Sequence, residues 1–107
     1  MKTYVFDVDG TVCTQTDGDY KNAQPLRDRI NKINNLYDAG NKIFFLTARG
    51  MGRTKNDYHE SYRLFYEFTH DQLVSWGLKF HKLFLGKPAA DLYVDDKGVK
   101  DENFFTN

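Results

Sequence analysis

The sequence predicts an α/β fold built on an open parallel sheet with helices on its faces. Three observations carry this. Short apolar runs alternate along the chain with stripes of helical period, the pattern of strand–helix–strand units. Turn-forming residues punctuate every change of period. Two acidic pairs, Asp7/Asp9 and Asp95/Asp96, each directly follow an apolar run. In open parallel sheets, ligands bind beyond the carboxyl ends of the strands, where these groups fall.

The elements follow in order. Tyr4-Val5-Phe6 shows no alternation and reads as a strand buried on both faces. Residues 10–22, rich in Thr, Gly, Asp and Asn, read as a loop or short hairpin. Pro25 suits a first helical position. Leu26, Ile30, Ile33 and Tyr37 then recur at steps of four, three and four, the stripe of an amphipathic helix that Gly40 would stop. Lys42-Ile43-Phe44-Phe45-Leu46 is a second buried strand. Residues 50–57 form a polar loop. Tyr62, Phe65, Thr69, Leu73 and Trp76 mark a second helix, closed by Gly77. His81-Lys82-Leu83-Phe84-Leu85 is a third strand, broken by Gly86-Lys87-Pro88. Leu92-Tyr93-Val94 is a last strand, with Asp91 at its start and Asp95-Asp96 at its end. Residues 101–107 form a tail whose Phe104 and Phe105 are expected to dock on the body.

The 107 residues fit one domain, 1–107, with a single modest core. Hydrophobic content of 40% and charged content of 28% are those of a soluble globular chain. Fifteen basic and fifteen acidic residues cancel, so overall charge gives no reason to expect nucleic acid or an anionic membrane as partner. Cys13 is the only cysteine, which excludes an internal disulfide. With no signal-peptide pattern and no apolar run long enough to span a bilayer, the cytoplasm is the default location. The aromatic content of 16% is concentrated between Tyr58 and Trp76, and suits either a core or a subunit interface.

The chemistry lies in Asp7-Val8-Asp9-Gly10-Thr11. Asp7 and Asp9 flank Val8, so in an extended chain they point the same way. One carboxylate can attack phosphorus as a nucleophile, and the other can protonate the leaving oxygen and later deprotonate water. Four crowded carboxylates call for a hard divalent cation such as Mg²⁺. Thr47 and Ala48 offer a hydroxyl and backbone N–H groups to a phosphate. An EF-hand loop starting at Asp7 fails, because Val12 would occupy the turn Gly and Gly18 the closing Glu. His59, His70 and His81 show no metal spacing, and Cys13 has no paired His.

Over nearly its whole length the chain resembles the haloacid dehalogenase superfamily of phosphohydrolases. The motifs that carry the likeness are Phe6-Asp7-Val8-Asp9-Gly10-Thr11-Val12, Phe45-Leu46-Thr47-Ala48-Arg49, Lys87, and Tyr93-Val94-Asp95-Asp96. The resemblance implies a Rossmann-like three-layer α/β/α sandwich. It implies Asp7 as nucleophile and Asp9 as general acid/base. Thr47, Ala48, Lys87 and Arg49 are then the phosphate-binding set, with Arg49 balanced against a surface ion pair, and with Lys82 and Lys97 as alternatives to Lys87. Mg²⁺ would be held by Asp7, Asp9, Asp95 and Asp96, the last either a direct ligand or an orienting neighbour. Lys87 lies eight residues before Asp95, closer than in many relatives. No cap domain fits in the short loops, so the chain resembles the capless group, whose members often close their sites by forming homo-oligomers. Residues 86–97 are similar to small bacterial phosphatases of capsule and polysaccharide biosynthesis. The resulting expectation is a Mg²⁺-dependent phosphatase of a small phosphorylated metabolite such as a sugar phosphate. A nucleic-acid 3′-phosphate phosphatase and a catalytically silent phospho-ligand binder are the alternatives.

Overall fold

The computed structural model describes residues 1–106. It consists of β1 (Thr3–Phe6), a 3₁₀ turn (Tyr20–Asn22), α1 (Arg27–Asp38), β2 (Lys42–Thr47), α2 (Tyr58–Ser75), β3 (Lys82–Leu85) and α3 (Asp101–Phe105). Residue 107, at the end of the expected tail, lies outside the described residues. The three strands form one parallel sheet in the order β1-β2-β3, with Phe6 beside Phe45 and Thr47 beside Leu85. Among the described residues no helix is long and apolar enough to cross a membrane.

The strand order explains the layering. Both crossovers step in the same direction, and right-handed connections then place both helices on one face of the sheet. Accordingly, Phe6, Ile43, Phe45, Leu83 and Leu85 are buried in one core with Ile30 and Ile33 of α1 and Leu73 of α2. The tail docks on the same face as expected. Phe104 packs against Tyr4 and Phe6 with ring centroids 6.0 and 5.5 Å away. Lys32 of α1 donates to the Phe104 carbonyl, and Arg29 pairs with Asp101 at 2.7 Å.

Three expectations are corrected here. β1 and β2 are not buried on both faces. Val5 is 59% exposed, Phe84 is exposed, and Phe44 and Leu46 are only half-buried, so one face of the sheet carries an uncovered apolar strip. The buried stripe of α2 passes through Ser61, Thr69 and Leu73, while Tyr62 is exposed and stacks on Tyr66 instead. The expected last strand does not form. Residues 88–100 run as an irregular strap without strand or helix, with Leu92 80% and Val94 96% exposed. β-propensity alone did not order Leu92-Tyr93-Val94, because a strand also needs a free edge within reach of its connection.

The turn from β2 into α2 depends on Gly50. Its φ is +79°, and a Cβ there would lie 2.5 Å from a ring carbon of Phe65. Left-handed backbone costs a residue with a Cβ about 1–2 kcal/mol before any clash. Gly50→Ala is therefore expected to destabilise the fold by about 2 kcal/mol or more in a urea titration. An unchanged midpoint would show that the turn relaxes freely.

Candidate active site

Three strand ends and one loop build the site. Asp7 follows β1, Thr47 closes β2, and Lys87 follows β3 with its N–H bonded to the Thr47 carbonyl at 3.2 Å. The loop after Gly10 is tied at its base, where Thr14 N–H donates to Gln24 and Leu26 N–H to Val12. This brings Tyr20 back over the strand ends. The resulting cavity of about 280 Å³ is lined by residues that include Asp7, Asp9, Thr47, Ala48, Arg49 and Lys87. Six of the residues singled out from the sequence thus meet in one place, as strand C-termini in a parallel sheet must.

Asp7 sits among weak partners. The Thr11 hydroxyl donates to it at 3.4 Å, and Lys87 Nζ is 3.7 Å away. Burial pushes its pKa above the usual 3.8, against the opposing field of Lys87. The Thr47 hydroxyl accepts the Arg49 N–H at 3.1 Å, which leaves its own proton free to donate into the cavity.

Arg49 differs from the expectation that its charge faces phosphate or solvent. Its side chain is fully buried and forks onto Asp9, Nε to Oδ2 at 2.9 Å and Nη2 to Oδ1 at 3.0 Å. Nη1 donates to the Thr69 hydroxyl of α2 at 3.3 Å, and the guanidinium lies 4.6 Å from the centre of the Tyr20 ring. Arg49 therefore positions Asp9. Asp9 Oδ1 also accepts from the Cys13 thiol at 3.5 Å, and Oδ2 keeps a second lone pair for a proton or a water. Tyr20 was missed in the sequence, since a lone aromatic in a loop has no period. It stacks on Arg49 and its hydroxyl accepts the Gly50 N–H at 3.0 Å.

The acidic pair at the other end of the chain is not at the site. Asp95 and Asp96 lie exposed on the strap, and the Lys97 N–H, donating to Asp95 at 3.1 Å, holds that carboxyl below the usual range. Among the described residues no three His, Cys, Asp or Glu side chains gather to hold a metal. The expected set of Asp7, Asp9, Asp95 and Asp96 is thus not assembled within one chain, and these residues as placed do not make a Mg²⁺ site. Tyr93 of the strap does reach the cavity, where Lys87 Nζ lies 4.3 Å from its ring centre. Cys13 is buried beside Asp9. Burial, then the Asp9 charge, pushes its pKa up to about 12.

No family model matches the chain, and no curated protein matches it. Two solved structures resemble it. A crystallised target protein from Vibrio cholerae gives a TM-score of 0.90 at 24% identity, covering 100% of this chain and 89% of its own. The D,D-heptose 1.7-bisphosphate phosphatase from B. bronchiseptica, complexed with magnesium and phosphate, gives 0.56 at 21% identity, covering 85% of this chain. This chain spans 52% of that enzyme's length. At these identities the likeness is one of fold, an α/β architecture built on a parallel sheet.

Two outcomes test the site's construction. Breaking a buried pair by removing one partner costs about 3–5 kcal/mol. Arg49→Ala is expected to lose that much in chemical denaturation, and Arg49→Lys to recover only part, since an ammonium cannot fork. Equal stability of all three proteins would mean that the pair is solvated. Cys13 is expected to resist alkylation in the native protein and react fully once unfolded, as followed by mass spectrometry. Rapid native labelling would contradict its burial.

Proposed function

We propose that the chain is a phosphoric monoester hydrolase, located in the cytoplasm, acting on a small phosphorylated metabolite such as a sugar phosphate of polysaccharide biosynthesis. One observation carries this reading: Asp7, Thr47 and Lys87 converge on one cavity that also contains Asp9 fixed by Arg49. In the first step a carboxylate oxygen of Asp7 bonds to phosphorus while the bond to the ester oxygen breaks. The departing oxygen takes its proton from Asp9. In the second step Asp9 takes a proton from water, the water oxygen bonds to phosphorus, and the Asp7 carboxylate is released with inorganic phosphate. Lys87 and the Thr47 hydroxyl stabilise the charge on the transferring group.

Cavity size supports a small ester, because about 280 Å³ accommodates a phosphate together with a small leaving group. The resemblance to an enzyme crystallised with magnesium and phosphate supports a phosphatase with a Mg²⁺ requirement. Among the described residues the expected ligands of that cation are not gathered in the single chain.

The test is phosphate release from a panel of sugar phosphates, nucleotides and a 3′-phosphorylated oligonucleotide, with Mg²⁺ and with chelator. Wild type is expected to turn over at least one small ester, and Asp7→Asn none. The same substitution should not lower thermal stability in chelator. Asp7 has a raised folded pKa, so its ionised form opposes folding, and that loss sets in as pH rises through the folded value. Asn carries no such cost, so its melting temperature should equal or exceed wild type at pH 7. Tight binding of phosphate without turnover of any ester would place the chain among silent binders.

A further inference from the structure

The lysine at the cavity is held through its backbone, at three points. The Lys87 N–H donates to the Thr47 carbonyl at 3.2 Å. Before it, Gly86 has a φ of +96° and lies so close to the Tyr58 ring that a Cβ would overlap it. After it, beyond Pro88, the Ala89 N–H donates to the Asn56 side-chain oxygen at 2.9 Å. Pro88 stiffens the same stretch, because its ring fixes its own φ and keeps Lys87 extended. The Lys87 ammonium then lies 3.7 Å from Asp7 and 4.3 Å from the centre of the Tyr93 ring.

Asn56 is the anchor that no motif announces. It sits in the loop between β2 and α2, one residue before Asp57, whose carboxylate accepts the Glu60 N–H and caps α2. Its own N–H donates to the Met51 carbonyl at 2.6 Å, and its φ is +64°, after Lys55 at +58°. Left-handed backbone at two successive residues other than glycine is strained, and such strain persists only where neighbouring contacts over-determine the chain. Asn tolerates it better than most residues, but glycine would serve the backbone equally well. What Asn adds is an oxygen. Among the described residues that oxygen has one hydrogen-bond partner, the Ala89 N–H. This is the first amide after Lys87 able to donate, since Pro88 has none.

We propose that Asn56 is a positioning residue for Lys87: its amide oxygen fixes the backbone just after the lysine and so holds the ammonium at the cavity, opposite Asp7. Lysine carries its charge on a flexible four-carbon stem, so the charge is aimed only as well as the backbone beneath it is held. The sheet alone holds that backbone poorly. β3 is an edge strand, and the turn that follows it has a neighbour in β2 on one side only. Tyr58 and Asn56 flank the cap of α2, so the start of that helix supplies the second side. The lysine is thereby registered against α2 as well as against β2. What Lys87 holds there rests on the phosphatase reading; its placement by Asn56 rests on the three anchors.

The test compares the full chain as wild type, Asn56→Gly and Asn56→Asp. Gly keeps the left-handed backbone and removes the oxygen, whereas Asp keeps an oxygen at the same reach and tolerates the same φ. The first readout is the rate at which an acylating reagent labels the half-buried Lys87, followed by mass spectrometry. Asn56→Gly is expected to label about fivefold faster than wild type, the effect of one modest hydrogen bond, and Asn56→Asp at close to the wild-type rate. The second readout is calorimetric titration with inorganic phosphate, which Asn56→Gly should bind about fivefold more weakly. A contact that merely braces the loop would move neither. Wild-type labelling of Lys87 in Asn56→Gly, or equally fast labelling in Asn56→Asp, would overturn the proposal. Faster labelling with phosphate affinity unchanged, or absent from all three proteins, would remove Lys87 from the phosphate-binding role and leave its positioning by Asn56 standing.

Discussion

The buried pair between Arg49 and Asp9 is the interaction on which the site depends. It joins the end of β1 to the end of β2, and through the Thr69 hydroxyl it reaches α2. The Ser61 hydroxyl of α2 closes the same corner by donating to the Arg49 carbonyl at 2.6 Å. Tyr20 completes it from the loop side, with its ring on the guanidinium and its carbonyl accepting from Gln72 of α2 at 2.8 Å. A charge this deep is tolerated only where every donor is aimed and paired. The requirement explains why the loop after Gly10, with no regular structure beyond one 3₁₀ turn, still holds a defined course over the cavity.

The same corner holds both acidic residues of the first motif. They are two positions apart and share a strand end, yet their surroundings differ. Asp9 is held by a fork that fixes the plane of its carboxylate. Asp7 is held by a long bond from Thr11 and a distant lysine, in a setting dry enough to raise its pKa. Burial and pairing thus give the two carboxyls different environments.

Much of this was legible in the sequence, for a stated reason. The three strands and two long helices rest on local period and punctuation, and the structure places them within a few residues of the expected bounds. Asp7, Asp9, Thr47 and Lys87 were found because strand C-termini in a parallel sheet must share an edge. Arg49 was located but not its direction, since what turns it inward is Thr69, Tyr20 and Asp9, each 20 to 40 residues away in the chain. The strand at Leu92-Tyr93-Val94 was expected from propensity. What it lacks is a neighbouring strand: β3 lies on the far side of β2 from the free edge of β1.

That strand order has a wider consequence. A sheet wound in one direction covers one face with its crossovers and leaves the other bare. Doubly wound folds cover the second face by reversing direction, and the reversal needs a long connection from the last strand back past the first. Here seven residues lie between Lys87 and Asp95, and they form neither helix nor strand. The uncovered strip of Val5, Phe44, Leu46 and Phe84, the unpaired edge of β1, and the acidic pair held away from Asp7 are thus one fact seen three ways.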